Sequence, residues 1–166
     1  MNRVELAVEQ IAFARDYTVR LLEHIDPGDW FQRPPGGVTH IAWQVGHLAV
    51  AEYFLALVRI RGERPEDESL IPKAFQQPFE RQSVPAFDPA KYPGAAEIRA
   101  VLDRVHSQTL RELRGLDDGE LDQPVPKPHP VAKTKWWSLL WCAHHEMVHA
   151  GQIGLLRRQL GHSPLW

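Results

Sequence analysis

Four long stretches with apolar residues at three- and four-residue steps set the strongest limit on how this chain folds. This spacing is typical of amphipathic α-helices, which turn one apolar face toward a core. The stretches span residues 3–25 and about 39–61, 94–116 and 135–160. No segment shows the strict alternation of a half-buried β-strand. The chain is therefore predicted to be all-α.

The residues at the helix ends agree with this assignment. Thr39 is the predicted N-cap of the second helix, because a threonine hydroxyl accepts a hydrogen bond from a backbone N–H of the first turn. The fourth helix is predicted to start after Thr134. Gly62 and Gly161 follow the predicted ends of the second and fourth helices, where glycine readily adopts a left-handed conformation.

The lengths of the connections predict the topology. The first link has about a dozen residues and the last has fewer than twenty, whereas residues 63–93 form a link of about thirty residues interrupted by prolines. At about 3.3 Å per extended residue, the long link can run the full length of a helix bundle. We therefore expect a four-helix bundle with up-down-down-up topology and a long crossover between helices 2 and 3. Residues 1–166 are expected to form a single domain.

Composition excludes several classes of protein. The 19 Lys and Arg residues against 21 Asp and Glu give a net charge of -2, with no basic block for nucleic acid or an anionic membrane. The one cysteine, Cys142, permits no intramolecular disulfide and no cysteine-based zinc cluster. No secretory leader and no apolar run of about 18 residues is evident. We expect a cytoplasmic protein that acts on a small molecule, with no nucleic-acid or membrane partner.

Two histidines on the last predicted helix indicate a metal site. His145 and His149 are four residues apart, so their side chains lie on the same helical face and can meet one ion. His47 lies in an apolar stretch of the second helix, where an imidazole needs a polar partner. Together the three histidines would leave coordination positions open for water or substrate, which is typical of a catalytic metal site.

The same segment also matches the H-E-x-x-H pattern of zinc proteases, in which Glu146 would be the general base. Such enzymes take a third ligand downstream, but the chain has Gln152 and Leu155 where the extended pattern has glycine and histidine. No glutamate follows Glu146, and His162 lies beyond the predicted helix end. On an ideal helix Glu146 is rotated by about 100° from His145. We therefore disfavour a protease and expect Glu146 to face solvent or to form an interhelical ion pair.

Several other residues lie close to the predicted site. Cys142 either approaches the ion or, as we favour, is a small buried apolar residue. Gln152 either orients a ligand imidazole or forms an ordinary interhelical hydrogen bond. His144 points away from His145, and His40 is interpreted as a helix-start residue. We expect the remaining histidines to lie at the surface: His24, His106, His129 and His162.

Two segments give the sequence a family resemblance. They are Val38-Thr39-His40-Ile41-Ala42-Trp43-Gln44-Val45-Gly46-His47-Leu48-Ala49 and His145-Glu146-Met147-Val148-His149-Ala150-Gly151-Gln152-Ile153, the latter followed by Leu156 to Gly161. In these segments the chain resembles the DinB/YfiT-like superfamily of metal-dependent enzymes, and the likeness extends over essentially the whole chain. The resemblance implies an up-down-down-up bundle with a divalent metal, often nickel or zinc, held by His47, His145 and His149.

The resemblance also implies a thiol-dependent activity, since relatives include transferases and isomerases that use bacillithiol, mycothiol or glutathione. Our working hypothesis is that the metal activates a low-molecular-weight thiol, as cosubstrate, for attack on an electrophile. Three alternatives stay open: a metal-dependent hydrolase, a non-enzymatic metal-binding bundle associated with stress, and a metal-free polar seam. Apolar helix faces also make a homodimer possible.

Overall fold

A computed structural model describes residues 1–127 and 129–165 of the chain, and no β-strand occurs among them. A π-helical segment, Tyr53–Val58, joins the α-helix Ile41–Glu52 to the short α-helix Arg59–Arg61 without a break, so one continuous helix extends from Ile41 to Arg61. The all-α prediction is confirmed. The α-helices are α1 (Arg3–Leu22), α2 (Ile41–Glu52), α3 (Arg59–Arg61), α4 (Asp67–Leu70), α5 (Lys73–Gln76), α6 (Ala95–Leu113) and α7 (Lys135–Gln159).

The four long predicted helices correspond to α1, the continuous helix Ile41–Arg61, α6 and α7. α1 begins at a capping box, in which Asn2 and Glu5 each bond the backbone of the other. α7 begins directly after Thr134 as predicted, and the Thr134 side chain caps it by accepting a hydrogen bond from the Trp137 N–H. Gly62 and Gly161 have φ angles of 84° and 89°, which a side chain would disfavour. Local spacing and capping residues therefore placed the long helices correctly.

The predicted N-cap at Thr39 is wrong, because His40 takes this position. The His40 Nδ1 accepts a hydrogen bond from the Trp43 N–H at 3.1 Å, and the opposite ring nitrogen donates to the Ala86 carbonyl at 2.9 Å. The Thr39 hydroxyl instead accepts a hydrogen bond from the Gln44 side chain. His40 thus ties the long connection to the beginning of α2, as well as capping the helix.

Residues 63–93 form the irregular crossover that their prolines predict. Their longest α-helices, α4 and α5, have four residues each, and the 3₁₀ turns Gln77–Phe79 and Pro89–Lys91 follow. Proline removes a backbone donor and clashes with the preceding turn, so helices between closely spaced prolines stay short. The crossover packs on α2 through the turn Gln77–Phe79.

The central helix of the protein is α2. It packs along both α6 and α7, while α1 packs mainly along α7. Every residue from Ile41 to Val50 is buried, since α2 has neighbours on most of its circumference. Ile41–Arg61 is the one helix in the described ranges that is long and apolar enough to cross a membrane, but 83% of its most apolar window is buried within the protein. Such burial is typical of the core helix of a soluble protein.

Candidate metal centre

His47 on α2 meets His145 and His149 on α7. One ligand nitrogen from each ring lies within 4.8 Å of the other two. The ring centroids are 5.3 Å apart for His47 and His145, 4.8 Å for His47 and His149, and 4.5 Å for His145 and His149. The one-turn spacing on α7 and the packing of α2 on α7 bring together all three histidines that the sequence singled out.

Backbone and ring contacts fix the orientation of His47. Its Nδ1–H donates to the backbone carbonyl of Phe79 at 2.7 Å, which leaves the Nε2 lone pair available. The Trp43 ring stacks on His47, with centroids 4.8 Å apart and planes 5° apart. Trp43 is itself held by a hydrogen bond from its indole N–H to Ser83. The crossover therefore determines which nitrogen of His47 faces its partners.

A chain of amides orients His149. Its Nδ1–H donates to the Gln44 side-chain oxygen at 2.5 Å. The Gln44 amide nitrogen donates to Thr39 at 3.1 Å and to the Gln152 oxygen at 3.0 Å. These two bonds fix which end of the amide faces His149. An amide oxygen can only accept, so the His149 Nδ1 must be the donor. This arrangement leaves Nε2 as the nitrogen of His149 that is available to an ion, in the way that outer residues orient metal-binding histidines.

All three imidazoles are electrically neutral near pH 7. Burial lowers the pKa of His47, although its hydrogen bond to Phe79 opposes the shift. Burial, followed by repulsion from His47 and His129, lowers the pKa of His145 to about 4. Burial, followed by repulsion from His145 and His47, lowers the pKa of His149 to about 3. Neutral imidazole is the form that binds a metal ion, so no proton has to be displaced at neutral pH.

The donor set fits a divalent transition metal. Imidazole nitrogen suits zinc and nickel, and two of the three rings have their second nitrogen committed to an acceptor. In a tetrahedral site, two nitrogens at about 2.0–2.1 Å from one ion lie about 3.3–3.4 Å apart. The observed limit of 4.8 Å therefore means that no pair of nitrogens has to approach by more than about 1.5 Å. Side-chain rotations can supply this.

The three-histidine group lies at the wall of an open cleft. One cavity of about 420 Å³ is bounded by all three histidines and by Trp43 and Trp141. A second cavity of about 220 Å³ shares His47, His145 and Trp141 and extends toward Phe54 and Arg59. A small molecule can thus approach the histidines from one side, and aromatic rings form much of the wall.

Glu146 does not face the cleft. It is 3% exposed and pairs with Arg15 of α1 at 2.7 Å, and Arg15 also pairs with Glu52 of α2 at 2.7 Å. His106 of α6 lies 3.0 Å from the second oxygen of Glu52. Burial lowers the pKa of Arg15, but the two carboxylates outweigh this and raise it above its ordinary value. The predicted interhelical ion pair is confirmed, and the solvent-exposed alternative for Glu146 is wrong.

Cys142 and Gln152 have different roles. Cys142 packs in an apolar cluster with Leu139 and Ile11, and burial, together with Glu52 and Glu146, raises the pKa of its thiol well above the ordinary value. Within the described residues it is not a member of the three-histidine group. Gln152 bonds Gln44 and so combines both predicted roles, as an interhelical contact that also supports the partner of His149.

Three of the surface predictions for the other histidines are wrong. His24 is exposed as expected, but His106, His129 and His162 are half-buried. His129 lines the cleft, and His162 lies 3.3 Å from Asp29. His106 lies against Glu52 and His162 against Asp29, and both partners are distant in sequence, so no local spacing could have indicated their burial.

Sequence reasoning missed several residues of the site. Gln44 had a signal, because Gln44 and His47 are the two polar side chains in an otherwise apolar stretch and are three residues apart on one helical face. Arg15 also had a sequence signal, because it is a charged residue within the apolar stripe of α1. The Phe79 carbonyl belongs to the backbone of an irregular segment and left no signal.

The protein is all-helical, and three neutral imidazoles converge beside an open cleft. These features define a class of helical proteins with a possible divalent-metal site. A sequence profile of the DinB superfamily matches residues 10–153. Because the match covers most of the chain, the protein belongs to the DinB superfamily, and the resemblance noted in the sequence is confirmed.

The fold is similar to that of a solved structure described as a conserved protein of locus from Enterococcus faecalis. The two chains share 15% identity with a TM-score of 0.71, over 96% of this chain and 97% of that chain. At this level of identity, the likeness concerns the fold alone. A comparison with curated proteins gives no match.

Proposed function

We propose that this protein is a divalent-metal-dependent enzyme, a thiol S-transferase or isomerase that acts on small molecules. His47, His145 and His149 would hold the ion, with zinc or nickel as the metal. The observation that carries the proposal is the convergence of three neutral imidazoles, two with fixed orientations, at the wall of a cleft. When bound, the ion supplies a Lewis acid that lowers the pKa of a thiol from about 8.5.

The chain's own residues would prepare the site for this chemistry. The Phe79 carbonyl and the Gln44 amide hold the Nδ1–H groups of His47 and His149, so the Nε2 atoms need no reorientation on binding. Trp43 and Trp141 border the cavity and would shield a thiol and its electrophile from bulk water. Excluding water strengthens electrostatic interactions at a site and limits competing hydrolysis.

An enzyme is favoured over a purely structural metal site. Structural zinc sites normally have four protein ligands, whereas catalytic sites have three and an open position. Here the group has three members and adjoins a cleft. Cys142, the residue best placed in sequence to be a fourth ligand, packs in the apolar core instead.

We also propose that the four long helices run in the up-down-down-up order. Support comes from contacts between α1 and α7. Arg15 pairs with Glu146, and farther along the two helices Arg157 donates to the Leu21 carbonyl, so α1 and α7 run parallel. Between the second and third long helices, Glu52 meets His106 and Arg61 meets Glu112, again in the same direction. Parallel neighbours of this kind require a long connection such as residues 63–93.

Metal binding is the first test. Protein purified without a histidine tag and stripped with chelator should bind one zinc or nickel per chain by calorimetry. His47→Ala, His145→Ala and His149→Ala should each weaken binding by at least about a hundredfold, because two imidazoles hold a divalent ion poorly. His144→Ala is the matched control, since it removes an exposed neighbouring imidazole. Equal metal affinity in all four variants would contradict the proposed ligand set.

Activity is the second test. Wild-type protein should transfer glutathione, bacillithiol or mycothiol to a small electrophile, lose this activity on chelation and regain it with zinc or nickel. Product turnover without any thiol would indicate a hydrolase instead. Stoichiometric metal binding with no turnover across thiols and electrophiles would favour a non-enzymatic metal-binding protein.

A further inference from the structure

Two arginines line the cleft without a carboxylate partner. Arg59 follows the π-helical segment and Arg81 lies in the crossover. The buried Nε of Arg59 has no hydrogen-bond partner, and in the described ranges neither guanidinium forms an ion pair or a side-chain hydrogen bond. Glu80 lies in the same cleft, but it is exposed and forms no ion pair with either arginine there. An unpaired buried donor is costly unless a ligand satisfies it.

His129 adds a neutral donor beside the two arginines. Its Nδ1 accepts hydrogen bonds from the backbone N–H groups of Val131 and Ala132, at 3.3 Å and 3.2 Å. Burial, followed by repulsion from Arg59 and Arg81, lowers the pKa of His129, so the ring is neutral at pH 7. A neutral ring whose Nδ1 accepts carries its proton on Nε2, so His129 offers a donor in the cleft that it lines.

These groups lie next to the three-histidine group. Arg81 and His129 line the cavity that contains His47, His145 and His149, and Arg59 lines the adjoining cavity with His47 and His145. Five guanidinium N–H donors on each arginine match the geometry of carboxylate and phosphate oxygens. The protein as a whole has a net charge of -2. The two arginines therefore give this wall of the cleft a positive charge that the overall composition does not predict.

We propose that Arg59, Arg81 and His129 form a subsite that binds a carboxylate or phosphate group of the substrate. The inference rests on the proposed function, because it places the reacting end of the same molecule at the three-histidine group. The substrate class is thus a small anionic molecule, with its charge at one end of the cleft and its reacting atom at the other.

Cobalt-substituted protein tests the subsite with thiols as probes. Mercaptoacetate, 3-mercaptopropionate and 4-mercaptobutyrate should be compared with the hydroxy-thiols of the same chain lengths, using the sulfur-to-cobalt absorption band to measure binding. We expect at least one carboxylate to bind about tenfold more tightly than its alcohol, because charge-assisted hydrogen bonds add to thiol binding. Arg59→Gln and Arg81→Gln should each remove most of this preference, while the cobalt spectrum without thiol stays unchanged.

Arg114→Gln is the matched control, because it removes the same charge from an exposed position outside the cleft. It should retain the preference. Equal binding of acid and alcohol at every length would overturn the subsite. So would a preference that survives both cleft substitutions, since it would then reflect chelation of cobalt by the carboxylate.

A metal-free measurement separates this inference from the proposed function. Inorganic phosphate, added to chelated wild-type protein at constant ionic strength, should shift the NMR signals of the Arg59 Nε–H and the His129 ring, and Arg81→Gln should weaken the response about tenfold. Absence of these shifts overturns the subsite. If phosphate binds but cobalt does not, the subsite stands and the metal-dependent function fails.

Discussion

Gly46 lies so close to the ring of Phe79 that position 46 has no room for a side chain. A Cβ on Gly46 would lie 2.4 Å from two Phe79 ring atoms, closer than carbon atoms approach without displacement. The next residue after Gly46 is His47, and its Nδ1–H donates to the carbonyl of the same Phe79. The missing side chain therefore allows the crossover to reach α2 and orient a candidate ligand.

Gly46→Ala should weaken zinc binding by about ten- to a hundredfold, the range typical of losing an outer partner of a ligand histidine. Displacing Phe79 should also lower the free energy of unfolding of metal-free protein by about 1–3 kcal/mol. Competition calorimetry and urea unfolding measure the two effects.

Gly151→Ala is the control, since a Cβ there meets nothing within 4 Å. It should leave zinc affinity unchanged and stabilise α7 by about 0.5–1 kcal/mol. Wild-type zinc affinity in Gly46→Ala would contradict the role assigned to the Phe79 carbonyl.

Gln44→Leu should lower zinc affinity by about ten- to a hundredfold, because the His149 Nδ1–H would lose its acceptor and the ring would be free to reorient. Gln152→Leu should have a smaller effect, since Gln152 contacts Gln44 and not the imidazole. Zinc competition titrations of both variants show which substitution causes the larger loss of affinity. A larger loss in Gln152→Leu than in Gln44→Leu would show that the amide chain does not act through His149.

Metal-free protein should become less stable as the pH falls from 7 to 5. The pKa of His149 is lowered to about 3 in the folded protein, whereas an unfolded histidine titrates near 6.5. Between these values the unfolded chain binds a proton that the folded chain does not, so stability is complete above about pH 6.5 and is lost as the pH decreases. The free energy of unfolding should fall by up to about 2 kcal/mol by pH 5 from this group.

The measurement is a set of urea unfolding curves from pH 7 to pH 5, for wild-type protein and His149→Gln. The variant should lose less stability over this range, because its glutamine does not titrate. His144→Gln, at an exposed position, should follow the wild type. Parallel curves for wild type and His149→Gln would show that the folded pKa of His149 is not depressed.

Arg15→Met should lower the free energy of unfolding by about 3–5 kcal/mol, because it leaves Glu52 and Glu146 buried without their partner. Thermal and urea unfolding measure the loss. Changing both carboxylates to Gln in the same protein should restore much of the stability, since no buried charge then lacks a counter-ion. Arg3→Met is the comparison, because Arg3 pairs with Asp118 and Asp122 at the surface, and it should cost much less stability than Arg15→Met.

The sequence predicted the long helices and the three histidines because both depend on local spacing. Apolar steps define the helices, a four-residue interval places His145 and His149 on one face, and a polar side chain in an apolar stretch marks His47. Two other groups at the site could not be predicted in the same way. The Phe79 carbonyl reaches His47 through a crossover without periodicity, and His129 comes from a proline-rich loop. Their positions depend on how distant segments pack.

Residues 77–93 connect two helices and also complete the site. They supply the Phe79 carbonyl to His47, Ser83 to Trp43 and Arg81 to the wall of the cleft. The three histidines themselves lie on regular helices of the core. Substitutions in the crossover can therefore change which molecules enter the cleft without replacing a ligand. Related proteins could differ in substrate through changes in this connection while keeping the same three histidines.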